Sequence, residues 1–189
     1  MAENLTNDNA VRLLANTIAT GAGLFVLITS FANISGAHLN PFVSLSMYLT
    51  KKIKGKELLT YVPAQILGCL LGVMLANVFF EHSIIELSTK NRDGFHIFLS
   101  EIVATFGLIF IIFATLKDGK TTVAACVATY ISAGYWFTSS TSFANPAVAI
   151  ARTFTDSFTG INYLNTPTYI FAELLGAIAA VYIIKRLIK

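Results

Sequence analysis

The sequence predicts an all-α integral membrane protein of five full spans and two short re-entrant helices. Composition is the first reason: of 189 residues, 55% are hydrophobic and only 12% charged, with a mean hydropathy of +0.69, whereas a soluble domain carries roughly 25% charge. The second is where charge is missing. None falls in Leu13–Thr50, Leu58–Phe80, Ile102–Leu116, Thr121–Ala151 or Ser157–Ala172, and only Glu101 and Glu173 break otherwise apolar stretches. A spanning helix needs ~20 mostly apolar residues, so five fit and little remains for a soluble domain. The third reason is a single Asn-Pro pair inside each of two runs of the wrong length.

In chain order, Met1–Ala10 is polar and lacks the basic and apolar parts of a secretory signal. Leu13–Thr50 then holds 38 residues, too many for one span and too few for two with a turn. The residue before a proline is pushed out of helical conformation, so Val11–Ile34 reads as a full span, followed by a break and a short helix starting at Pro41. Asparagine is a favoured cap and proline a favoured first helical residue, which assigns those places to Asn40 and Pro41. Leu58–Phe80 is the second span and Phe95–Leu116 the third. Thr121–Ala151, with 31 residues, repeats the first pattern: a span, a break, and a short helix from Asn145-Pro146. The last span runs through Glu173 toward the C-terminus. About ten residues follow each break, enough for ~15 Å of helix, or half the bilayer. Irregular chain at that depth must be buried in protein or line a watery cavity, so two such breaks point to a pore or transport site.

An internal repeat strengthens that reading. With Asn40 set over Asn145, each half has a preceding span and an Asn-Pro pair. Further on, Tyr61-Val62-Pro63-Ala64-Gln65-Ile66-Leu67-Gly68 lies over Tyr169-Ile170-Phe171-Ala172-Glu173-Leu174-Leu175-Gly176, sharing Tyr, Ala, Leu and Gly at equal spacing. The chain is therefore expected to be one membrane domain, residues 1–189, with repeats 1–90 and 91–189 of opposite orientation. Basic residues set the topology. With Lys51–Glu57 inside, Lys51, Lys52, Lys54, Lys56, Lys117, Lys120, Lys185, Arg186 and Lys189 are cytoplasmic, while Arg12, Lys90, Arg92 and Arg152 are outside, as the excess of inside positive charge requires.

The same features exclude other classes. Net charge is +3 and pI about 8.9, but the cations cluster beside apolar segments instead of forming a nucleic-acid-binding stripe. Cys69 and Cys126 sit within apolar runs, without metal or disulfide spacing. Nothing resembles a nucleotide site, a Ser-His-Asp constellation or a metal cluster, so no enzyme and no cofactor are expected. The partners are membrane lipids, which the Lys51–Lys56 cluster can meet, and whatever solute passes. The five glycines Gly21, Gly68, Gly72, Gly134 and Gly176 read as points of close helix packing.

Ser35-Gly36-Ala37-His38-Leu39-Asn40-Pro41 and Asn145-Pro146-Ala147 closely resemble the paired Asn-Pro-Ala boxes of the aquaporin, or major intrinsic protein, family. With the repeat, the resemblance covers nearly the whole chain. It implies an hourglass channel in each subunit of a homotetramer, in the cell membrane, with Asn40 and Asn145 donating hydrogen bonds to the permeating molecule. The two half-helix dipoles would oppose cations at its centre. The family places two spans before the first box. This chain shows one, so either the start lies upstream of Met1 or the chain is a variant of five spans instead of six with an external N-terminus, lacking the helix that the repeat pairs with Phe95–Leu116 and leaving a groove beside the pore.

The resemblance also implies a constriction lined by four positions counted from the asparagines: Thr20, Ala133, Ser142 and Val148. Water-selective members place an arginine where Val148 stands; here the first arginine is Arg152, one turn later. An uncharged filter of Thr, Ala, Ser and Val resembles that of bacterial members linked to metalloid handling. It implies passage of water, polyols such as glycerol, or metalloid hydroxides such as arsenous acid. The alternative is a non-conducting homologue serving as a scaffold or assembly subunit. Phe42 replaces the usual alanine of the first box, and reads either as filling space or as narrowing the pore. In the family a glutamate at Glu101 braces a box loop, and His38 belongs to the first box; both read as structural support. Glu173, aligned with Gln65, has no assigned role. Arg152 reads as snorkelling at the outer mouth, as pairing with Asp156, or as touching the solute directly.

Overall fold

The structure, a computed structural model, describes residues 1–187; Ile188 and Lys189, the latter counted above among the inside cations, lie outside the described residues. Among the described residues there are eight α-helices and no strand: α1 (Ala2–Leu5), α2 (Asn9–Phe31), α3 (Pro41–Leu49), α4 (Gly55–Phe79), α5 (Phe95–Thr115), α6 (Lys120–Phe137), α7 (Pro146–Ala151) and α8 (Thr166–Leu187). Local chemistry sets their starts. The Asp8 carboxylate accepts from the amides of Ala10 and Val11 at the head of α2. Glu57 reaches back to the Lys54 amide, 2.8 Å, at the head of α4. Gly94 and Gly119, at φ of +114° and +99°, turn the chain into α5 and α6, a conformation glycine adopts without steric cost.

Five of these helices are long. Four (α2, α4, α5 with its following 3-10 turn, and α8) have the length and apolar composition to cross a membrane. The fifth, α6, has 18 residues, ~27 Å at 1.5 Å per residue, and a more polar sequence. Its hydroxyls are satisfied within the helix: Thr129 donates to the Ala125 carbonyl at 2.7 Å and Ser132 to that of Ala128 at 2.8 Å, as hydroxyls in a helix remote from water do. Along the bundle α5 packs on α8 and α2 on α6, while the short α3 and α7 meet each other between them. The main apolar cluster joins α2, α3, α5, α6 and α8 around Ile109, Ala104, Ala124 and Ala180.

Charge separates the two ends. Lys51, Lys52, Lys117 and Lys185 surround one depression, and Lys52 and Lys120 a neighbouring one. Arg12 lies at the other end with Phe158 and Thr159, where Arg92 donates to the carbonyls of Gly160 and Phe158 at 2.8 and 2.9 Å. A segment between α4 and α5 closes this outer end: the Ser88 amide donates to the Thr153 carbonyl and that of Asn162 to Lys90. Asp156 accepts from the amide and hydroxyl of Thr89 and the hydroxyl of Ser88. The Thr89 amide above all holds this carboxyl below the ordinary carboxylate range.

Packing differs at the aligned glycines. A Cβ on Gly176 would strike the Ile102 carbonyl and lie 3.0 Å from the Phe106 amide, so α8 rides directly on the backbone of α5. Gly21 and Gly134 are similarly close to Ser132 and Ser142. Gly68, aligned with Gly176, and Gly72 face nothing within 4 Å. These two, read above as packing glycines, therefore stand on an open face. The apolar stretch of α4 has no buried residue, against 44% of that of α8. Cys69 and Cys126 are free thiols, half-buried.

Candidate functional site

Each break between a long helix and its half-helix is built on left-handed backbone. In the first, φ is +76° at Gly36, +48° at Ala37 and +50° at Leu39. In the second it is +64° at Thr141, +53° at Ser142 and +47° at Ala144. These are the same three places, 105 residues apart, as are Asn40 and Asn145. Non-glycine residues seldom take that conformation, so five such residues in two matched loops mark a structure enforced by its surroundings.

The enforcement is reciprocal. The Asn40 side-chain amide donates to the Ala144 carbonyl at 2.7 Å, and that of Asn145 to the Leu39 carbonyl at 2.9 Å. Each asparagine oxygen meanwhile accepts from its own half-helix, from the Phe42 amide at 2.9 Å and the Ala147 amide at 3.1 Å. A primary amide has two N–H donors, so each asparagine retains one for the cavity that both line. Pro41, Pro146 and Ala147 are buried at the contact between the half-helices.

Three consecutive amides of the second loop end on carboxylates. Glu101, fully buried on α5, accepts from Phe143 at 2.9 Å and Ala144 at 2.7 Å; Glu173, fully buried on α8, accepts from Asn145 at 2.9 Å. Glu173, left without a role by the sequence, thus holds the loop beside Glu101. In the first loop the corresponding amides of His38, Leu39 and Asn40 meet no carboxylate among the described residues. Support there comes from side chains. Gln65, the counterpart of Glu173, donates to the Ser44 hydroxyl at 2.9 Å, and Ser44 lies 3.0 Å from His38 Nδ1. Tyr61 packs edge-on to the His38 ring and donates to the Ser35 carbonyl at 2.9 Å.

A cavity of about 170 Å³ runs past both asparagines. Its inner wall is Met47, Leu116 and Val123, its outer end Thr20, Tyr135 and Arg152, and His38 stands between. Of the four positions counted from the asparagines, Thr20, Ser142 and Val148 line it. Ala133 does not: it is exposed on the outside of the bundle. The reason is helical register. Val123, Val127, Ile131 and Tyr135, spaced by four, form the face of α6 that lines the cavity, and residue 133 falls on the opposite side. Tyr135 stands where Ala133 was expected, its hydroxyl 3.1 Å from that of Thr20.

Two further corrections follow. The outer end is not uncharged, because Arg152 lines the cavity, with its guanidinium 4.2 Å from the Phe143 ring centroid and 3.4 Å from the Tyr135 hydroxyl. Nor does Arg152 pair with Asp156, which is taken by Thr89 and Ser88. Phe42, for its part, is absent from the cavity wall and is buried in the main apolar cluster.

Comparison with known proteins agrees with this geometry. The family model described as major intrinsic protein matches residues 1–138. The chain belongs to that family. It is 46% identical over its whole length to the aquaglyceroporin AqpS of Rhizobium meliloti (strain 1021), covering 81% of that protein. It is 27% identical over 183 residues to aquaporin-4 of Rattus norvegicus, with 92% of this chain and 56% of that protein aligned. Over 126 residues it is 30% identical to aquaporin NIP1-1 of Arabidopsis thaliana. The chain thus spans four-fifths of the first relative and little more than half of the second. Family membership and the apolar helices make it a multi-pass cell-membrane protein and a channel for water and small solutes.

Proposed function

We propose that this channel passively conducts water together with small uncharged hydroxylated solutes, either polyols such as glycerol or metalloid hydroxides such as arsenous acid. The observation that carries the reading is a cavity lined by both asparagines, each with one unused N–H, between largely apolar walls of α2, α5 and α6. Such a wall offers few hydrogen bonds, and the asparagines replace some of those a solute sheds on entry. In this reading Asn40 and Asn145 orient the solute, with Pro41, Phe42, Pro146 and Ala147 fixing the half-helices. Glu101, Glu173 and His38 hold the loops, and Thr20, Ser142 and Val148 set the width. The side chain of Val148 is shorter than an arginine and uncharged, and the likeness to a protein named aquaglyceroporin supports the same solute class.

The reading further takes the chain as two inverted repeats, 1–90 and 91–189, and the working form as a homotetramer. The exposed leucines of α4, among them Leu59, Leu67 and Leu71, then face lipid or a neighbouring copy. The scaffold reading is not favoured, since Phe42 lies outside the cavity and the similar proteins are named as an aquaglyceroporin and aquaporins.

Stopped-flow light scattering on proteoliposomes tests the proposal, with a sucrose gradient for water and a glycerol gradient for solute. Water and glycerol fluxes well above those of empty liposomes are expected. Water flux with glycerol excluded would overturn the polyol reading, and background rates for both in an oligomeric preparation would overturn conduction itself.

A further inference from the structure

We infer that the specificity-determining group of this channel is the guanidinium of Arg152, held by Tyr135, one helical turn outward of Val148. The inference rests on the channel reading above. Arg152 lies four positions after Val148, ~6 Å along a helix axis. The Arg152 side chain still reaches the cavity, because its guanidinium lies over the Phe143 ring and beside the Tyr135 hydroxyl. A cation over an aromatic face is held in place without being neutralised. Tyr135 is itself tied to α2 through its 3.1 Å contact with Thr20.

Among the described residues Arg152 meets no carboxylate, and its one side-chain hydrogen bond is the 3.4 Å contact with Tyr135. A guanidinium has five N–H donors, so most of them, and the whole positive charge, are left to the outer end of the cavity. Several free N–H donors on one guanidinium suit a solute with two or more oxygen acceptors, such as a polyol, and an unpaired positive charge in a low-dielectric passage opposes cations. Val148, lacking any polar group, does neither. Arg152 is therefore the residue that touches solute, and Tyr135 positions it.

The test uses proteoliposomes of the full chain and three readouts: water flux, glycerol flux and sodium leak. Arg152→Met keeps the length of the stem against Phe143 while removing charge and donors. It is expected to raise the sodium leak about tenfold or more and to lower the glycerol-to-water flux ratio. Arg152→Lys is expected to restore sodium exclusion, and Tyr135→Phe to give an intermediate leak, an effect that a merely structural tyrosine would not produce at unchanged water flux. Should Arg152→Met fail to reconstitute, Arg152→Gln carries the same test. Wild-type-like sodium leak in a conducting Arg152→Met or Arg152→Gln channel would overturn the cation barrier. An unchanged glycerol-to-water ratio would overturn the donor role. A wild-type protein at background for water and glycerol would instead strike the channel reading, and this one with it.

Discussion

At the residue scale, the two buried glutamates show how little chemistry holds the pore loop. Glu101 and Glu173 accept three successive amides of a loop whose backbone lies in sparsely populated conformations. Left without acceptors, buried amides cost ~1–3 kcal/mol each, enough to let such a loop relax. Glu173→Leu is therefore expected to lower the thermal midpoint of the detergent-solubilised protein and to reduce glycerol flux, since Asn145 loses its anchor. Glu173→Gln is expected to stay near wild type. Its carboxamide oxygen keeps the Asn145 bond, its amide can donate to the neighbouring Glu101, and glutamine already serves at the matching position 65. A thermal melt of the two variants decides the matter; equal loss in both would mean that charge, and not the acceptor, is what the loop needs. Glu173 was legible as an intramembrane carboxylate, but not as a loop anchor, because its partner is a backbone amide 28 residues away that carries no side-chain signature.

At the scale of elements, the matched helices α4 and α8 differ in what they touch. Gly176 brings α8 onto the backbone of α5, while its counterpart Gly68 on α4 faces open space. Small residues stabilise membrane helix pairs by letting backbones approach, and this contribution exists only where a second helix is present. Gly176→Leu is expected to separate α5 from α8 and to cost several kcal/mol by overpacking, at the upper end of the usual ~1–3 kcal/mol or beyond. Gly68→Leu is expected to shift the melting of the monomer by little. Comparing the two by thermal unfolding in detergent checks this, and equal destabilisation would mean that the open face of α4 is covered in the assembled protein. Sequence patterns place both glycines on helices at equivalent positions; whether a neighbour lies against them is a property of packing.

For the whole molecule, charge asymmetry makes a prediction about orientation. Lys51, Lys52, Lys117 and Lys185 gather at one end, and Arg12 and Arg92 at the other. The excess of cations faces the cytoplasm. In a variant whose own cysteines, Cys69 and Cys126, are replaced by alanine, a cysteine at position 90 is expected to react with a membrane-impermeant maleimide in intact cells. One at position 51 is expected to react only after permeabilisation. The reverse pattern would invert the topology and place Arg152 at the cytoplasmic mouth.

The sequence by itself determined the membrane class, the two breaks at Asn40-Pro41 and Asn145-Pro146 and the ends at which cations collect. All of these rest on local composition, on proline's restriction of its neighbour, or on the spacing of like residues, none of which needs a partner in space. Tertiary structure alone decided that Ala133 faces away and Tyr135 faces in. A count from Asn145 crosses an irregular loop, where residues do not advance at a helical rate. It also decided that Arg152 bends back over Phe143 into the cavity and that Phe42 packs away from it. Where a long side chain ends depends on which ring or carbonyl it meets, and those partners are brought together only by the crossing of the helices.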